Sequence, residues 1–251
     1  MNAFSFMQDI KASPSPERLN VLPVSVLEVA AAGAQAIRET QDHNKSSSRV
    51  TYSPFPFEAA ELCASLYFRD AQTVVDPFAG WGERAEACLR YRKNYFGFDI
   101  STEAVRFAKE TYGVQNTLAD SRTVEVPEHD ALLTCPPYWD LEEYESDEGL
   151  DKCSSWGYFL EEYEGVLHRF SERAKRGAVY SIATGDWRSS KVYYDLTYQT
   201  EAIMVALGFV PHDKVIISRL GISKIKIMLP QAKAQKYTVK VHESLNTWIK
   251  K

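Results

Sequence analysis

The sequence predicts an α/β fold: a mostly parallel, doubly wound sheet that ends in an antiparallel C-terminal strand or hairpin. Three observations predict it. Short apolar runs alternate with helical segments of about 10–15 residues, the pattern of strand–helix–strand units. Three of the runs end next to an acid, Asp76, Asp99 and Asp120, at intervals of 23 and 21 residues, each about one such unit. Near the C-terminus the helical segments give way to consecutive apolar stretches with short polar joins.

Residues 1–22 are polar and contain Ser-Pro-Ser-Pro, so a loose arm is expected. From Val24 to Thr40 the apolar spacing of three and four predicts a helix. A polar linker follows at 41–49. The prolines of SPFP (53–56) hold the chain extended, and Glu58 to Phe68 reads as a helix. TVVD (73–76) and YFGFD (95–99) read as strands, with a helix over 82–92 between them. The segment 101–113 opens on Ser-Thr, carries Glu103 in its first turn and stops at Gly113, which signals both ends of a helix. Strands are expected at 116–119, 130–134 and 177–184, with a helix over 154–173. Further strands are expected at 214–220, 224–230 and 236–243. The organisation is then an N-terminal arm and helix over 1–50 and one α/β domain over 51–251.

The formal charge of −5 argues against a polyanion partner only on average. Residues 1–150 hold 13 Lys and Arg against 24 Asp and Glu, a net of −11; residues 151–251 hold 16 against 10, a net of +6. From Lys214 onward nine basic residues face a single acid, Glu243. An acidic body with a basic end hints at nucleic acid, although lysines on edge strands also deter aggregation. The four cysteines, 63, 88, 135 and 153, form no C-x-x-C pair, so zinc is not expected and reduced thiols are. No apolar run reaches the roughly 20 residues needed to cross a bilayer. The N-terminus lacks the basic-then-apolar pattern of a secretory signal. A cytoplasmic protein without membrane or metal partners is the expectation.

The chemistry concentrates at strand ends. In an open α/β sheet, ligands bind beyond the carboxyl ends of the strands. There the first turn reads DPFAGWG (76–82), whose glycines let backbone approach a ligand. It is neither G-x-G-x-x-G nor a phosphate loop with lysine, so a smaller nucleoside ligand fits better than a dinucleotide or triphosphate. An acid after the second strand suits ribose hydroxyls. The fourth strand runs into TCPPYWD (134–140). Its two prolines make a rigid turn without N–H donors, so carbonyl oxygens face outward beside the flat rings of Tyr138 and Trp139. Fixed acceptors beside an aromatic face suit a planar base with an exocyclic amine.

DPFAGWG followed by TCPPY resembles the paired signatures of the class I S-adenosylmethionine-dependent amino-methyltransferases of DNA, of the adenine-N6 or cytosine-N4 type. SPFPFEAAELC (53–63) resembles the segment ahead of the glycine loop in the gamma motif order. KVHESLNTWIKK resembles the ending of phage and plasmid DNA methylases. The resemblance spans roughly 50–251 and implies a Rossmann-like methyltransferase fold, S-adenosyl-L-methionine as cofactor and DNA as partner, with a homodimer left open. It implies that Asp76, Pro77, Phe78, Ala79, Gly80 and Gly82 line the cofactor. Asp99 with Ile100 would hold its ribose, Asp120 with Ser121 its adenine, and Phe55 and Phe57 its methionine end. Cys135, Pro136, Pro137 and Tyr138 would form the catalytic turn, with Tyr138 stacked on the base. Trp139, Asp186 and Arg188 are candidate base-pocket residues.

Cys135 departs from the family, which carries Asp, Asn or Ser at that position. It is nearest in shape to Ser, and Thr134 is a possible assistant. A nucleophilic role for the thiol is disfavoured by the order C-P-P, because the cytosine carbon-5 enzymes read P-C-Q. Methylation of a guanine amine in RNA, and a non-catalytic cofactor-binding scaffold, are the competing readings. The acidic run 140–151 reads as a solvated loop, with a lid over the turn as the alternative.

Overall fold

The computed structural model describes residues 21–29, 54–140, 148–189, 191–218 and 224–251. Its centre is an eight-stranded sheet. In chain order the strands are β1 (Val26–Glu28), β2 (Thr73–Asp76), β3 (Asn94–Asp99), β4 (Thr117–Leu118), β5 (His129–Thr134), β6 (Ala174–Thr184), β9 (Phe209–Ser218) and β10 (His242–Lys250). Two short strands, β7 (Trp187–Ser189) and β8 (Val192–Tyr194), form a separate hairpin. The sheet order is β1-β9-β10-β6-β5-β2-β3-β4. Every pairing is parallel except the two made by β10, which runs against both β9 and β6. This is the mixed, mostly parallel sheet that the sequence predicts, with its antiparallel strand near the C-terminus.

Helices cover both faces: α1 (Phe57–Leu62), continued by a wide turn at Cys63–Tyr67, then α2 (Glu83–Arg90), α3 (Thr102–Tyr112), α4 (Trp156–Arg173) and α5 (Leu196–Ala206); a further helix, α6 (Lys224–Ala234), lies between β9 and β10 in the chain. The local signals of α3 act as read. The Ser101 hydroxyl accepts the Ala104 N–H at 3.1 Å, and Gly113 closes the helix at φ +70°. One apolar layer packs Phe159, Tyr163, Val166, Leu167 and Phe170 of α4 against Leu132, Tyr180 and Ile182 of the sheet. A second packs Ala59, Ala60, Leu62 and Cys63 against Val74, Ala131, Leu133 and Ala183. A strand buried on both faces reads as a continuous apolar run, which is why ALL and VV stand where they do.

Three expectations fail. The helix expected over 24–40 is a strand where the structure describes it: Val26, Leu27 and Glu28 pair in parallel with Ile216, Ile217 and Ser218. Leu27 is buried and its neighbours are exposed, a period of two that three residues are too few to announce. Residues 30–53 lie outside the described residues. The strand expected at 224–230 is part of α6, with Pro230 inside the helix, and 236–241 is not a strand. A K-I-K-I stretch is too short to separate the two periods, and sheet pairing is supplied by β9 and β10 without it.

A buried histidine gives the fold an acid sensitivity. His129 stacks on Tyr180; its Nδ1 lies 2.9 Å from the Pro127 carbonyl and its Nε2 2.7 Å from the Tyr180 hydroxyl. A carbonyl can only accept, so Nδ1 donates, and in the neutral ring Nε2 accepts the Tyr180 hydroxyl. Burial lowers the pKa to about 4. Between about pH 6.5 and 4 the unfolded chain therefore binds a proton that the folded chain refuses, and stability falls as pH falls, by up to about 1.4 kcal/mol per unit. Melting temperatures of the parent and of His129→Gln across this window are expected to show a shallower slope in the variant. Parallel slopes would refute the assignment.

Candidate active site

The sheet switches direction between β2 and β5. From β2 the chain winds outward to β3 and β4, then returns to β5 on the other side of β2. Carboxyl ends on the two sides of such a switch bound a crevice. A pocket lies there, lined by Phe55, Pro77, Phe78, Gly80, Asp99, Ile100, Asp120, Ser121, Cys135, Pro136, Pro137 and Tyr138. The glycine loop and the proline turn, 53 residues apart from Gly82 to Cys135 in the chain, thus face one another across one cavity.

Asp76 stands behind the pocket wall. It is fully buried. One carboxylate oxygen accepts the Thr134 hydroxyl at 2.6 Å and the Phe78 N–H at 3.0 Å. The other accepts Arg84 Nε at 2.6 Å and the Tyr95 hydroxyl at 2.7 Å. Burial disfavours the Arg84 charge, but Asp76 beside it outweighs this and holds the guanidinium protonated. Arg84 also donates to the Phe78 carbonyl and lies 4.9 Å over the Phe55 ring. One buried carboxylate therefore ties together β2, α2, β3, the glycine loop and the start of the proline turn.

The loop needs its glycines. Gly82, at φ +107°, starts α2, and a Cβ there would stand 2.9 Å from that of Ala108. Gly97 of β3 lies under the loop, where a Cβ would meet Ala79 Cβ at 2.8 Å and Asn116 Oδ1 at 2.5 Å. Ala79 itself donates its N–H to the Phe98 carbonyl at 2.9 Å, which fastens the loop to β3.

Asp99 faces the cavity from the end of β3. Its two oxygens accept the Gly80 and Ser101 N–H groups at 2.7 and 2.8 Å, leaving lone pairs for a ligand. Burial raises its pKa against the two N–H groups that lower it. Asp120 is gripped by Arg122 at 2.7 Å, and Arg122 reaches on to Glu162 at 3.0 Å. Burial would raise the Asp120 pKa, but the Arg122 fork holds it below the ordinary carboxylate value. Ser121 donates to the Pro77 carbonyl at 2.6 Å.

At the proline turn, Cys135 Sγ lies 3.9 Å from the Tyr138 hydroxyl, which lies 3.5 Å from Glu243 Oε1. The Tyr138 ring is tilted against Trp187 at 5.6 Å. Trp139 turns away from the cavity: its Nε1 donates to the Cys153 carbonyl at 2.8 Å, and its ring meets Trp156 and Tyr194. Asp186 accepts the Tyr193 hydroxyl at 2.7 Å and the Thr197 N–H at 3.0 Å, so it braces the β7–β8 hairpin against the first turn of α5. Arg188 lies 4.9 Å over both Tyr193 and Tyr237, on the surface. Phe57 lies under Arg90 at 4.7 Å. Asp76, Ala79, Gly82, Phe57, Trp139, Asp186 and Arg188 are therefore not among the side chains that line the pocket.

Several lining residues were not put forward from the sequence as site residues: Arg84, Ser101 and Glu243. Arg84 carried a signal, a cation in the first turn of α2 and eight residues after Asp76. The 148–151 segment is the tail of the acidic run, and it borders the cavity, with Gly149 and Leu150 buried and Glu148 exposed. Residues 141–147 lie outside the described residues, so the solvated-loop and lid readings stay open there.

Residues 20–110 match the model of a DNA methylase family of the N6 and N4 type. No curated protein sequence matches the chain. The fold is similar to that of magnesium protoporphyrin IX methyltransferase from Synechocystis PCC 6803, at 12% identity and TM-score 0.51 over 88% of this chain and 99% of that one. It is also similar to the N-methyltransferase NodS from Bradyrhizobium japonicum WM9, at 10% identity and TM-score 0.52 over 85% and 97%. These likenesses carry the fold, and the family match covers the glycine loop and the acid of β3. Over residues 20–110 the chain is similar to the DNA methylases of the N6 and N4 type, and its fold is that of the two methyltransferases.

Proposed function

We propose that the chain transfers a methyl group from S-adenosylmethionine to the exocyclic amine of adenine or cytosine in DNA, at a base turned out of the duplex. One observation carries the reading: the glycine loop and the proline–tyrosine turn form two walls of a single cavity, and Asp76 bonds to both through Phe78 and Thr134.

The donor set fits the cofactor. Asp99 offers acceptors for ribose hydroxyls beside the left-handed backbone of Gly80. Ile100, Ala119 and Phe78 offer apolar walls for adenine, with Asp120 and Ser121 at their edge. When bound, S-adenosylmethionine supplies an electrophilic methyl group. The residues of the chain do the rest. An exocyclic amine conjugated with its ring is a poor nucleophile, because its lone pair is delocalised. Acceptors at the turn, with the Pro136 carbonyl among them, hold the amine hydrogens so that the lone pair localises. Tyr138 fixes the plane of the base. Holding both reactants at near-attack distance supplies on the order of 7–11 kcal/mol in well-oriented cases. A base inside a duplex cannot reach such a turn, so it must be flipped or single-stranded.

Charge and rings on the surface suit a DNA strand. Arg188, Tyr193, Tyr237 and Lys240 cluster on the surface, with Lys240 Nζ 5.2 Å over Tyr193. Aromatic faces interleaved with cations suit bases and phosphates. Lys214 contributes less, because it is paired with Glu201 at 2.7 Å.

The test is incubation with methyl-labelled S-adenosylmethionine and unmethylated DNA, RNA or protein, followed by nucleoside analysis. Label in N6-methyladenine or N4-methylcytosine of DNA is the expected result. Label in RNA or protein alone overturns the reading.

A further inference from the structure

The proline turn carries a thiol where the chemistry calls for an acceptor. A thiol sulfur accepts hydrogen bonds weakly, and Cys135 Sγ lies 3.9 Å from the Pro136 carbonyl oxygen. The side chain at 135 is thus a weak acceptor beside the strong Pro136 carbonyl, for an amine with two hydrogens. A carboxylate stands in the same cavity. Glu243 is half-buried and lines the pocket together with Cys135, Pro136 and Tyr138. The Tyr138 hydroxyl joins the two, 3.9 Å from Cys135 Sγ and 3.5 Å from Glu243 Oε1.

Topology accounts for this placement. Parallel strands bring their last residues to the ligand edge of the sheet. β10 runs against its neighbours, so it brings its first. Ser244 pairs with Thr184, the last residue of β6, and Glu243 precedes it. Gly185 then leaves room: a Cβ at that position would stand 3.3 Å from the Tyr138 hydroxyl and 3.5 Å from Glu243 Cγ.

We propose that Glu243 is a catalytic residue that accepts a hydrogen bond from the target amine, in the role that residue 135 cannot fill, and takes up its proton. The proposal rests on the amine-methylation reading above. The nitrogen lone pair forms the new N–C bond. The S–C bond breaks with its electron pair left on sulfur. The surplus proton on nitrogen passes to a carboxylate oxygen of Glu243 and from there to water.

The experiment compares the parent chain, Glu243→Gln, and the double variant Cys135→Asp with Glu243→Gln. Unmethylated plasmid DNA and labelled S-adenosylmethionine give kcat and KM. Calorimetry gives cofactor affinity and melting temperature. Glu243→Gln is expected to lower kcat by about 100-fold, the scale of a lost general base. Its KM for DNA, cofactor affinity and melting temperature stay at parent values. The double variant is expected to recover at least tenfold of that loss, because Asp restores an acceptor at position 135. Three results overturn the proposal: parent-like kcat in Glu243→Gln, a kcat loss accompanied by lost cofactor affinity or a lowered melting temperature, or a double variant no faster than the single one. A parent chain that labels no DNA overturns the underlying reading as well, whereas an active parent with an equally active Glu243→Gln overturns this proposal alone.

Discussion

Asp76→Ala is expected to lower the stability of the fold by about 3–5 kcal/mol, the usual cost of removing one partner from a buried ion pair. The reason is what remains behind. Arg84 keeps its charge in a buried site, and the hydroxyls of Tyr95 and Thr134 and the N–H of Phe78 lose their acceptor together. For a chain of this size the loss corresponds to a melting temperature lower by on the order of 10 °C. Methyl transfer is expected to vanish with it. The glycine loop and the proline turn are fastened to the same carboxylate, so the two cavity walls separate when it goes. Asp76→Asn separates the contributions. It keeps an acceptor for Thr134 or Phe78 but leaves Arg84 without its counter-charge, so it is expected to fall between the parent and the alanine variant. Scanning calorimetry on the three chains decides the point. A melting temperature for Asp76→Ala within about 2 °C of the parent would show that the buried network is not what holds the loop.

Asp76 also shows what the sequence could and could not say. Its position was legible: an acid after a two-valine strand and before a glycine turn marks the carboxyl edge of a sheet. Its role was not. The resemblance places it among cofactor-lining residues, whereas the structure sets it behind the wall, bonded to four partners. Those partners come from residues up to 58 positions away, and no local pattern encodes which of them will converge. The same limit explains Glu243. Its strand is readable, but whether the first or the last residue of a strand meets the ligand depends on direction, and direction is set by the neighbours β6 and β9. Where one segment holds its own reasons, as α3 does with Ser101 and Gly113, sequence and structure agree. Where pairing with a distant strand decides, as at Val26–Glu28, local spacing misleads.

Tyr138→Ala is expected to reduce methylation of DNA by about 10- to 100-fold while leaving cofactor affinity near that of the parent. The ring lines the cavity as part of the proline turn, whereas Asp99 and Ser121 line it from the ends of other strands. Stacking of a base on an aromatic side chain is worth about 1–3 kcal/mol by alanine substitution, and much of the turn's use depends on keeping the base in one plane while its amine is held. The ring is also packed against Trp187, with its hydroxyl between Cys135 and Glu243. Tyr138→Phe therefore serves as the control. It keeps the stacking face and loses only the hydroxyl, so it is expected to retain most of the rate if the face is what matters. Single-turnover rates with saturating cofactor, beside calorimetric cofactor affinity, read the two effects separately. Equal losses in the phenylalanine and alanine variants would move the role from the ring to the hydroxyl, and with it to the contact with Glu243. Unchanged turnover in Tyr138→Ala would remove the turn from the site altogether.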